Sequence, residues 1–144
     1  MTTEELNEQT KDDWRELGFF YDYDESNSCW RLIGSRQGLL KFCNILNDYA
    51  KDERNAPLSK HEHYGPYWYL KFITWNEPQI TSHAIAGTLK DFERLSKLTK
   101  QKLENAIIGD RIVIDSDYSL LNEAKLILEV KENDFDAAKA DPLL

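Results

Sequence analysis

Residues 30–46, WRLIGSRQGLLKFCNIL, and residues 83–99, HAIAGTLKDFERLSKLT, align without a gap at an offset of 53. Leu32 falls on Ile85, Gly34 on Gly87, Ser35 on Thr88, Leu39 on Phe92, Phe42 on Leu95 and Cys43 on Ser96. Few positions are identical, but the physical type agrees at most of them. An internal repeat of this kind constrains the fold more than any single motif, because each copy must bury its apolar face against something. Each copy begins as a short apolar run that reads as a strand, and a glycine then permits a sharp turn. Ser35 or Thr88 follows where a helix N-cap belongs, its hydroxyl able to accept from an unpaired backbone N–H. An amphipathic helix comes next. Its stripe is Leu39, Phe42, Cys43, Leu46 and Ala50 in the first copy, and Phe92, Leu95, Leu98, Leu103 and Ala106 in the second.

Strand patterns surround both copies. FFYDY (19–23) pairs naturally with CWRLI across the turn-rich DESNS. YLKFITW and ITSHAIA flank NEPQ, which favours a turn. RIVID (111–115) and AKLILEV (124–130) follow the second helix. Residues 3–17 read as an N-terminal helix, and NDFDAAKADPLL as an extended or partly ordered tail. The expectation is an α+β, two-layer fold: a largely antiparallel sheet of about six strands, with the two repeated helices on one face, plus the N-terminal helix. Residues 1–144 form one domain on this reading, with pseudo-repeats over about 19–75 and 76–131 and a tail over 132–144.

The formal net charge is -8, which repels nucleic acid phosphates and would steer the chain toward a basic partner. No basic patch is interleaved with aromatics, so a nucleic acid partner is not expected. No stretch approaches the roughly 18 apolar residues of a membrane helix. The N-terminal MTTEELNEQTKDDW lacks the basic start and apolar core of a signal peptide. The two cysteines, Cys29 and Cys43, form no C-x-x-C pair, so buried thiols in a reducing, cytoplasmic setting are expected.

HEHYGPYWYLKFITW (61–75) is the most unusual stretch. Strand periodicity of two divides 67–75 into Trp68, Leu70, Phe72 and Thr74 on a helix-covered face, and Tyr67, Tyr69, Lys71, Ile73 and Trp75 on a half-exposed one. Aromatics with a polar end suit recognition surfaces. Cross-strand packing, here beneath the N-terminal helix and Trp14, accounts for them more simply. His61 and His63 would project to one side as a two-histidine edge and are the candidate ligands should a metal bind, but a third ligand is needed. His83 aligns with Trp30, which points to a packing position.

Other chemistry is sparse. DYDESNS lacks a glycine at the sixth position of a calcium loop, and its twelfth position is Ile33. GSRQG is neither a dinucleotide nor a phosphate fingerprint. Ser35 has no G-x-S-x-G setting, and Cys43 lies on an apolar helix face. No catalytic residue is assigned and no cofactor is expected. Asp110, Asp115 and Asp117 cluster around a strand end and loop. They read either as turn chemistry or, at Asp115 and Asp117, as an acidic edge for a basic partner.

HAIAGTLKDFERLSKLT, followed by IGDRIVIDSDYSLLNEAKLILEV, resembles a compact family found among the immunity proteins of bacterial polymorphic toxin systems. That family's pattern runs from a strand and glycine turn through an amphipathic helix to H-x-H-L-D, then a loop and an apolar strand. Ile112–Asp115, IVID, stands where the short motif would fall; this chain has no histidine there, while the first copy keeps HEH in a comparable place. The resemblance covers residues 83–130 and, more faintly, 30–75. It implies a bacterial toxin-neutralising role.

The leading expectation is therefore a non-enzymatic protein-binding module, an immunity protein neutralising a basic toxin, with contacts at Tyr67, Tyr69, Lys71, Trp75, Asp115 and Asp117. One alternative is a small enzyme or metal-binding protein with a site near His61, His63 and Tyr64. Another is a self-associating structural module whose aromatic face makes a homodimer.

Overall fold

The computed structural model describes all 144 residues. Helix α1 (Thr3–Leu17) leads into strands β1 (Phe20–Asp24) and β2 (Cys29–Ser35), then helix α2 (Arg36–Lys51). A 3-10 turn at Glu53–Asn55 precedes β3 (His61–Tyr64), β4 (Leu70–Thr74), β5 (Gln79–Ile80) and β6 (Ile85–Gly87). Helix α3 (Leu89–Glu104), β7 (Arg111–Ile114), β8 (Lys125–Lys131) and a short α4 (Ala137–Ala140) complete the chain. No helix is long and apolar enough to cross a membrane.

The α+β class holds, but the single six-stranded, largely antiparallel sheet does not. There are two mixed sheets of four strands, ordered β1-β2-β8-β7 and β3-β4-β6-β5. Each takes two strands from one half of the chain and two from the other, and the halves meet in a parallel pair. Leu32 of β2 lies opposite Leu128 of β8, and Gly34 opposite Val130. At the second junction Ile85 of β6 lies opposite Phe72 of β4, and Gly87 opposite Thr74. The order β1-β2-α2-β3-β4 thus recurs as β5-β6-α3-β7-β8, with strands exchanged between the copies. NEPQ consequently does not close a hairpin between β4 and its sequence neighbour. It carries the chain past β6 to β5, on the sheet edge, and β5 turns back onto β6 through Thr81.

The two glycine–cap units behave alike. Ser35 Oγ accepts from Gly38 N–H at 3.1 Å, and Thr88 Oγ1 accepts from Asp91 N–H at 3.2 Å. Thr88 adds a capping box, its own N–H donating to the Asp91 carboxylate at 2.9 Å. The helices that follow lie against each other. Ser96 Oγ of α3 donates to the Cys43 carbonyl of α2 at 2.7 Å, and Arg36, at the start of α2, donates to Leu103 O at the end of α3. Tyr49, near the end of α2, meets Phe92, near the start of α3, so the pair runs antiparallel.

Phe72 of β4 touches Phe42 and Tyr49 of α2 and Phe92 of α3. One apolar cluster of 28 buried residues runs through both sheets and all four helices, so the strands of both halves drain into one interior. The C-terminal residues, expected to be extended or partly ordered, fold back onto α1. Ala137, Ala138 and Asp141 are buried, and Asp136 pairs with Arg15 of α1 at 3.1 Å.

Candidate functional site

Strand β4 begins at Leu70, three residues later than the period-two reading requires. Residues 61–74 form a hairpin in which His63 lies opposite Lys71 and His61 opposite Ile73. Gly65 (φ 83°) and Trp68 (φ 62°) both take left-handed backbone in the connecting turn. A tryptophan there is under steric strain. The consequence is a division of the YWY triplet. Trp68, expected on the buried face, is 68% exposed and stacks on His63, while Tyr67 and Tyr69 turn the other way. A Cβ at Gly65 would overlap the Tyr21 ring, so the turn can close only on glycine.

Tyr67 and Tyr69 form part of the wall of a half-open cleft of about 530 Å³. Six separate stretches of chain build it, counting the turn that carries Tyr67 and Tyr69. Trp14 comes from α1; Phe20, Tyr21 and Tyr23 from β1; Trp30 from β2; Ser82 and His83 from the β5–β6 turn. Asp141, Pro142 and Leu143 of the tail close one side. The hairpin register puts Tyr23 opposite Trp30 and Tyr21 opposite Leu32, which aims these aromatics to the same sheet face. Seven of the fourteen lining residues are aromatic, three are carboxylates, and none is lysine or arginine.

The polar groups of the cleft are held tightly. Trp30 Nε1–H donates to Thr81 O at 2.8 Å. Tyr21 Oη–H donates to Tyr64 O at 2.7 Å and accepts from Tyr69 N–H at 3.2 Å, tying β1 to the turn. Asp141 is 4% exposed. Its Oδ2 accepts from Trp14 Nε1–H at 2.8 Å and Tyr67 Oη–H at 2.6 Å, and its Oδ1 accepts from Leu143 N–H at 2.8 Å. Burial pushes this carboxyl up, but the hydrogen bonds from Tyr67, Leu143 and Trp14 outweigh it and hold it below its ordinary value. The Tyr67 hydroxyl moves the other way, to about 12, through burial and then its bond to Asp141. Asp22 is neutralised by a fork of bonds from Arg31, whereas Glu25 stands exposed at the rim.

The expected contact residues do not form one surface. Tyr67 and Tyr69 share the cleft. Lys71 is half-buried within β4, and Trp75, 45% exposed, lies beyond the far end of that strand. Asp115 and Asp117 lie in the β7–β8 loop. There Asp117 Oδ1 accepts from Asp115 N–H at 2.8 Å, and Oδ2 pairs with Lys102 at 3.2 Å. Arg94 donates to the carbonyls of Asp117 and Tyr118. Asp117 therefore serves the loop and is paired with Lys102, while Asp115 contributes its backbone N–H and carbonyl to the same loop.

His61 and His63 do project together, their rings 5.3 Å apart on an edge strand. Each Nδ1–H donates to a local carbonyl, Ser59 O and Trp68 O respectively. No group of three His, Cys, Asp or Glu side chains is placed to hold a metal ion. Tyr64 turns its ring inward against Phe72, so the three residues of the enzyme alternative do not converge. His83 is no packing residue: it is exposed in the β5–β6 turn, at the cleft. Cys43 is buried on α2, and desolvation pushes its thiol up to about 12.

Sequence reasoning missed most of the cleft. Tyr21, Tyr23 and Trp30 carried a usable signal, since alternation within FFYDY and CWRLI puts them on one face. Asp141 carried none, because nothing local marks a tail residue that returns to α1. No family model, curated protein or solved structure matches this chain.

Proposed function

We propose that this chain is a non-enzymatic protein-binding module that captures a basic protein, and that the partner is a toxin it neutralises in the cytoplasm of the bacterium that makes both. The observation that carries the reading is the cleft. Its aromatic wall, its carboxylates and its lack of any lysine or arginine suit a cationic, partly apolar protrusion. Rigid aromatics give contact area at small entropic cost. The formal charge of -8 adds long-range attraction for a basic partner. The resemblance of residues 83–130 to immunity proteins supplies the toxin.

Co-expression tests this directly. The product of the gene encoded beside this one, induced alone, is expected to arrest growth. Induced with this chain it is expected to leave growth unimpaired, and the two proteins should copurify at a fixed ratio. A neighbouring product that is harmless, or one whose toxicity this chain does not relieve, contradicts the reading.

A further inference from the structure

We infer that the cleft beside Asp141 is a receptor for one arginine side chain presented by the protein partner. This rests on the protein-binding reading and specifies what is bound. A carboxylate offers about four acceptor positions. Trp14, Tyr67 and the Leu143 N–H occupy three at Asp141, and no cation lies beside it. Its negative charge is thus fixed at the wall of a cavity half of whose lining residues are aromatic. A cation over such faces gains from the ring quadrupoles, and more so when water is excluded. The guanidinium is the best match among side-chain cations, because it is flat, weakly hydrated and stacks on aromatics while donating from its edge. Glu25, exposed at the rim, adds a second uncompensated charge along the entry path. The 530 Å³ volume exceeds what one guanidinium fills, leaving room for the arginine stem and an adjoining residue. A neutral planar group would use the rings but not the carboxylates, and that difference is what the experiment reads.

The chain has four tryptophans, and so four indole N–H cross-peaks. Trp14 and Trp30 line the cleft, whereas Trp68 and Trp75 lie outside it. The probes are two five-residue glycine–serine peptides, one with a central arginine and one with citrulline, its neutral isostere. The arginine peptide is expected to shift the Trp14 and Trp30 cross-peaks saturably, with a dissociation constant on the order of a millimolar. Trp68 and Trp75 should stay still. Citrulline should bind about tenfold more weakly. Asp141→Asn should bring arginine down toward the citrulline value. Tyr69→Ala and Glu25→Gln alter exposed side chains, so they keep the test open should Asp141→Asn fail to fold; each should weaken arginine severalfold.

Equal binding of the two peptides, a response confined to Trp68 and Trp75, or no saturable shift in the native chain would overturn the inference. Should the chain relieve toxicity yet treat both peptides alike, the inference falls and the protein-binding function stands. Should it select arginine but protect against nothing, the inference stands and the toxin reading falls.

Discussion

Asp141 is the residue on which the cleft turns. A buried carboxylate is costly unless its oxygens are satisfied, and here an indole, a phenol and a backbone amide satisfy them. Its folded-state pKa is depressed. This stabilisation is therefore fully present above the unfolded value, about 3.9, and is lost as pH falls through the folded value. Asp136, held down first by its bonds to Arg15, adds to the same trend. Urea unfolding is therefore expected to show stability falling as pH drops below about 4. Asp141→Asn should be less stable at pH 7 by about 1–3 kcal/mol, because a buried charge-assisted network loses its charge. It should also lose less on acidification than the native chain does. Equal acid slopes in the two proteins would remove Asp141 from this role.

At the scale of elements, the local chemistry of the repeat and the β1–β2 hairpin were legible, and the pairing between the halves was not. Ser35 and Thr88 cap their helices as read, since a cap depends on residues within one turn. The buried stripes of α2 and α3 followed from spacing, with Ala50 and Leu98 only partly covered. The division of 67–75 into two faces held for Leu70, Phe72 and Thr74, which are buried, and failed for Trp68. Its left-handed backbone is imposed by the turn and by no feature of the tryptophan itself. A different neighbour decides Gly38. Helix propensity alone favours alanine over glycine by about 1 kcal/mol in a helix interior. At this position, however, a Cβ would overlap the Gly18 carbonyl oxygen where the end of α1 crosses α2. Backbone cannot yield as a flexible side chain does, so the clash wins. Gly38→Ala is expected to destabilise by about 1–3 kcal/mol, seen as a lower midpoint in thermal melting. A gain in stability would show that the α1–α2 crossing is looser than described.

Across the whole molecule, strand exchange makes the two halves interdependent. β2 needs β8, near the other end of the chain, and β4 needs β6, which follows it closely but runs parallel to it, so no hairpin signal names either pairing. This is why a single antiparallel sheet was the natural expectation from hairpin signals, and why two mixed sheets were not foreseen. Each half alone would expose a parallel sheet edge and half of a shared core. Fragments 1–76 and 77–144 are accordingly expected to give unfolded circular dichroism spectra separately, and to recover helix and sheet on mixing. A folded spectrum from either fragment alone would contradict the exchange. The same exchange assembles the cleft, which draws on α1, both sheets and the tail and so exists only in the complete fold.

The most direct test of the central claim is the dissociation constant for the proposed toxin partner, measured with the native chain and with Tyr69→Ala combined with Glu25→Lys. Both positions are exposed, and the melting temperature should barely move. If the cleft is the contact surface, the double variant binds at least about tenfold more weakly. An unchanged constant would place the partner elsewhere on the molecule.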